Sequence, residues 1–199
     1  MAGTSPSWRS TNLIVREGQL WGQLAIPSAS ARLTLDTDGT PDSTANSAAF
    51  HYGHTTDGFK CRVKASYIEH TPDEDPYPIV SVIDKVEMAI AGTLIGITDM
   101  DVIKNLLSGL GTYSTASGYK QVTMGDFAIA YQSLALVFPL FEDTAKFGVF
   151  HLYSTFNKVG VEFDVGRTKM GATPVEFMGH GISTRATTDR VGNYWKQIA

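Results

Sequence analysis

Between Ile79 and Gly111 the hydrophobic period of the chain changes once. Along Val80, Val82, Val86, Met88 and Ile90 apolar residues return at every second position, with Ser81, Lys85 and Glu87 between them, the period of a half-buried strand. Asp84 interrupts the row and places one end of that strand in water. From Thr98 and Asp99 the period becomes three and four: Met100, Ile103 and Leu107 fall with Val102, Leu106 and Leu110, while Asp101, Lys104, Asn105 and Ser108 take the other face. The spacing predicts an amphipathic helix over 99–110 of about three turns. Thr98 or Asp99 would cap its first turn, Asp101 suits its positive end, and Gly109 or Gly111 would stop it. Burying five such side chains contributes roughly 8 to 12 kcal/mol before ordering entropy, so this helix should form only when docked on a sheet.

The remaining pattern is mostly of period two. Leu13, Val15, Leu20, Leu24 and Ile26 alternate loosely around Trp21 and predict a strand or short hairpin. The polar stretch 27–46 reads as an arm or loop with a turn at Asp38-Gly39 and a possible strand over 32–38. A turn at 51–58 opens a strand in which Phe59, Cys61, Val63, Ala65 and Tyr67 alternate with Lys60, Arg62, Lys64 and Ser66, giving it a basic face. The stretch 69–78, EHTPDEDPYP, holds three prolines and four acids; prolines at that density forbid ladder pairing and predict a stiff projecting loop. Residues 112–118 read as a polar loop. Strands follow over 127–138, 147–156, 159–165 and 169–179, the second and third joined by a hairpin at 157–160. Beyond Gly181 the chain is polar, and Tyr194 and Trp195 stand in a tail without core-like pattern. Strands outnumbering one helix indicate a mainly β fold, a β-sandwich or barrel with one flanking α-helix. The 199 residues form one domain, with an N-terminal arm over about 1–12, the projecting loop over 69–78 and a C-terminal tail over about 182–199.

Charge and cysteine content narrow the function. A net charge of -4 argues against gripping nucleic acid through a basic surface. Cys61 is the single cysteine, which excludes an intramolecular disulfide and a thiolate cluster. No apolar run has the length of a bilayer span, and the polar start MAGTSPSWRS lacks the apolar segment of a secretory signal. The expectation is an unexported protein made in a reducing cytoplasm, with no membrane partner.

Candidate chemistry is sparse. His51 and His54 have a spacing found in metal sites, but no third ligand is patterned beside them. Asp73, Glu74 and Asp75 offer carboxylates without the spaced ligands and glycine of a calcium loop. Cys61, on the apolar face of its strand, reads as a small buried hydrophobe. No nucleophile elbow, phosphate loop or dinucleotide fingerprint is present. The expectation is therefore no catalytic, metal or cofactor site, and no enzyme; a metal-dependent or hydrolytic enzyme using His51, His54 or the acidic loop is the weakest reading.

The order of these parts resembles the tail tube (major tail) protein of long, non-contractile-tailed bacteriophages. Residues 12–21 followed by 25–27 resemble that family's opening glycine, aromatic and proline stretch, and 53–58 its turn before the second main strand. The strand from Val80 to Leu94 running into 99–107 is similar to its strand-then-helix centre, and 174–177 to its closing strand. The family often places a glutamate shortly before the helix; 93–98 has none. The resemblance implies a virion protein that assembles into hexameric rings whose strands join into a continuous barrel. The rings stack around a tape-measure protein, bounded by terminator and distal tail proteins, and later pass DNA without binding it specifically. A distal tail, terminator or head-decoration protein is the alternative. On this reading Asp73, Glu74, Asp75 and Tyr77 of the projecting loop meet the Lys60, Arg62, Lys64 face of a neighbour, and Trp8, Tyr194 and Trp195 anchor the termini on other subunits. Asp84, Glu87, Asp126, Glu162 and Asp164 are the acids available to line the lumen.

Overall fold

A computed structural model describes residues 18–29, 31–70, 80–95, 97, 99–125, 128–140, 142–162 and 172–198. The expectations placed on Trp8, Asp73, Glu74, Asp75, Tyr77, Asp126 and Asp164 lie outside the described residues. The chain is mainly β, with a curled sheet forming a half-barrel. In chain order the strands are β1 (Gln19–Gly22), β2 (Phe50–His51), β3 (His54–His70), β4 (Val80–Ile95), β5 (Gly111–Ala116), β6 (Tyr119–Met124), β7 (Gln132–Pro139), β8 (Phe147–Asn157), β9 (Ala172–Gly179) and β10 (Gly192–Lys196), with helix α1 (Met100–Leu106) between β4 and β5. The main sheet runs β2-β1-β7-β8-β9-β4-β3, and every paired neighbour is antiparallel.

Period-two alternation buries two faces of this sheet. Leu134, Leu136 and Phe138 of β7, Phe150 and Leu152 of β8, Val175 and Phe177 of β9 and Ile90 and Leu94 of β4 form one core with Tyr52, and Leu106 plugs it from α1. Ala135, Val137 and Val149 point the other way and are covered by Leu24 and Leu33 of the segment after β1. Burial on both sides is why β7 reads as an unbroken apolar run. Apart from a single bridge between Leu35 and Pro41, the stretch anticipated as a strand over 32–38 is loop.

Helix α1 starts where the caps indicate: the Asp99 side chain accepts a hydrogen bond from the Asp101 amide. It is shorter than expected. Ser108 and Gly109 adopt positive φ of 49° and 92°, so the helix stops a turn before Leu110, which is exposed. Ile103, Leu106 and Leu107 are buried as the spacing requires, with Val102 packed at the edge of the core.

Three segments depart from the sequence reading. Residues 111–124, of which 112–118 read as loop, form the β5–β6 hairpin; β5 carries a run of hydroxyl residues, Thr112 to Thr115, and β6 is mostly polar, so neither shows a hydrophobic period. Residues 159–162 are irregular, not strand: Gly160 takes φ 80° and its carbonyl accepts from the Asn157 side-chain amide. The tail supplies β10, which pairs with β8 from Gly192–Leu152 to Lys196–Gly148, while β9 takes the same edge of β8 further along, from Thr155 to Asn157.

Candidate interaction surface

Strands β3 and β4 are far longer than the strands beside them. Among the described residues only Ala89–Ile95 of β4 pairs with β9, and from Val63 and Met88 outward the hairpin runs on as a two-stranded ribbon. Register gives its faces. Cys61–Ile90, Val63–Met88, Ala65–Val86 and Tyr67–Ile83 share one face; Lys60–Ala91, Arg62–Ala89, Lys64–Glu87 and Ser66–Lys85 share the other. The apolar face begins in the core at Ile90 and Phe59 and continues into solvent, where Val63 and Tyr67 are each 59% exposed, Ile83 58% and Val86 44%.

Asp84 is the residue that alters the pattern. Ser66 pairs with Lys85 and Tyr67 with Ile83, so Asp84 is an extra residue on β4, a β-bulge. Past it Val82 pairs with Ile68 on the formerly polar face. The expected single stripe of Val80, Val82, Val86, Met88 and Ile90 is thus split, and both faces near the tip carry exposed apolar side chains.

The basic face is less free than its sequence indicates. Arg62 forms an ion pair with Glu176 at 2.6 Å, and Lys64 stands across from Glu87, which is bound by Lys85 at 2.7 Å. Lys85, then Lys64 and Arg62, hold the Glu87 carboxyl below the usual carboxylate range. Glu87 is therefore embedded in a basic face. Of the other acids anticipated for a lumen, Asp84 and Glu162 are exposed. Trp195 packs into the second core with Val149; Tyr194 lies 6.5 Å from Phe138 in a stacked arrangement and is exposed. Cys61 is exposed, contrary to the buried-hydrophobe reading: it lies on β3, which ends the sheet and has no further strand beside it among the described residues.

Other chemical groups fall in two places. His51 and His54 line a cleft of 240 Å³ with Asp99; burial and the neighbouring His54 lower the His51 pKa, and Asp99 is engaged in capping α1. Among the described residues no cluster of three histidine, cysteine or carboxylate side chains could hold a metal. A larger cleft of 540 Å³ opens beside α1, lined by Gln23, Lys104, Asn105, Tyr131 and Gln132 among others. Ser133, in its lining, is bonded to the fully buried His151 at 2.7 Å. Burial pushes that imidazole down to about 4, so it is neutral at pH 7. Ser133 and His151 were not singled out from sequence; a serine and a histidine on adjacent strands meet only through the β7–β8 register, which no local motif encodes.

No protein-family model matches this chain, and no curated protein matches it. No helix among the described residues is long and apolar enough to cross a membrane.

Proposed function

We propose that this chain is a self-assembling structural subunit, and specifically the tail tube protein of a long-tailed bacteriophage. The observation that carries the reading is the outer half of the β3–β4 hairpin. A two-stranded ribbon is marginal in water on its own, and this one carries a continuous uncovered apolar face on the longest strands of the fold. Contiguous exposed apolar surface of this kind marks an interaction site. The sheet behind it is curled and, among the described residues, open at β3, and joining open edges of neighbouring copies removes the edges altogether. Hexameric rings stacked into a tube around a tape-measure protein are one such closed arrangement.

A conduit of this kind should carry net negative charge on its wall, because each lysine or arginine there adds a phosphate contact that holds passing DNA and repetition multiplies weak contacts. Negative-stain electron microscopy of the purified protein tests the reading. Long tubes of uniform width are expected; single rings would favour a terminator or distal tail protein, and a monomer at all concentrations would overturn assembly altogether.

A further inference from the structure

Among the described residues two exposed surfaces differ in shape. One projects: the ribbon, with Val63, Val86, Tyr67 and Ile83 on one face. The other recedes: the 540 Å³ cleft beside α1, lined mainly by polar side chains such as Gln23, Asn105 and Gln132, where Tyr131 is exposed in the lining and Leu110, between the lining residues Gly109 and Gly111, is exposed. A cleft of that volume accepts a group the size of a small ligand, hence the side chains of one cross-strand pair such as Tyr67–Ile83.

Charge points the same way. The cleft lining contains Lys104 and no acid. Lys104 lies over the Tyr113 ring at 5.3 Å and has no ion pair among the described residues. The outer ribbon carries Glu69 and Asp84, both exposed and without an ion pair among the described residues. The Lys60, Arg62, Lys64 face is the weaker acceptor for acids, since Arg62 and Lys64 already face Glu176 and Glu87.

Resting on the self-assembly reading, we infer that the ribbon of one copy seats in the α1 cleft of the next, Tyr67 and Ile83 entering it and Asp84 meeting Lys104. Because the two surfaces are different, the contact is head-to-tail, and repetition of it gives a ring or a filament but not an isologous dimer.

The test is a charge swap read by sedimentation velocity and electron microscopy. Lys104→Glu and Asp84→Lys each should lower the assembled fraction at a given concentration by about tenfold, the effect of losing or reversing one interfacial pair, and the double variant should recover most of it. Circular dichroism identical to the parent confirms that these exposed substitutions leave the fold intact. A second arm uses Tyr67→Glu, which disables the ribbon, and Tyr131→Glu, which disables the cleft. Each alone should be monomeric, and the mixture should stop at a 1:1 heterodimer, since it has one working surface of each kind. Normal assembly by both single charge variants, a double variant no better than the singles, or no heterodimer in the mixture would overturn the ribbon-in-cleft contact while leaving self-assembly standing. A parent protein that never assembles would overturn both.

Discussion

The inner and outer halves of the β3–β4 hairpin are built from the same alternation and end in opposite environments. At Ile90 and Leu94 the apolar face lies against β7, β8, β9 and α1 and is fully buried; at Val63, Val86 and Ile83 the same face meets water. Nothing in the period distinguishes them. What changes is the neighbour: β9 flanks β4 only as far as Ala89. An amphipathic pattern therefore states that a face needs cover, and the topology decides whether the cover comes from the same chain.

Substitutions on either side of that boundary should separate stability from assembly. Leu106→Ala removes a fully buried side chain from the core and should destabilise the subunit by about 2 to 5 kcal/mol in urea unfolding. His151 should make the covered half pH-sensitive. The unfolded chain binds a proton below about 6.5, whereas the buried imidazole resists protonation until about 4. The unfolded state thus holds more protons in that window, and stability falls as pH drops through it, by about 3 kcal/mol in all; unfolding curves from pH 7 to 4 should show the loss, and His151→Gln should flatten it. Glu176→Gln, at the half-exposed ion pair with Arg62, should change stability by less than about 1 kcal/mol. Smallest is the effect of Val63→Thr with Val86→Thr on the exposed face. Subunit stability should stay within about 0.5 kcal/mol while sedimentation shows weakened association. A large stability loss in that last variant would mean that the ribbon face is covered within the subunit, and would erase the contrast.

The parts of the fold that were legible in the sequence are those set by a single segment. Asp99 and the three-four spacing of Ile103, Leu106 and Leu107 specify α1 locally, and alternation at Phe59–Tyr67 and Val175–Phe177 specifies strands. What escaped depends on partners. The bulge at Asp84 is visible only once β3 is laid beside β4; β10 has too few apolar residues for a pattern and is a strand because β8 offers it an edge; β5 and β6 are mostly polar and pair with each other without an apolar alternation. The candidate surface was half legible. Its residues stood out by period and charge, but their exposure, and the neutralisation of Arg62 by Glu176, follow from tertiary placement.

The short contact between β4 and β9 also has a mechanical consequence. Among the described residues seven cross-strand pairs, Ala89–Met178 to Ile95–Ala172, join the β3–β4 hairpin to the rest of the sheet. Ladder hydrogen bonds in an antiparallel pair lie perpendicular to the strands, so a pull along the hairpin loads that row in shear, all bonds together, whereas a sideways pull at the tip opens them one after another. The hairpin is thus a stiff tether along its own axis and a weak lever across it, and tension between neighbouring bodies joined through it is best borne when they are drawn apart along the strand direction.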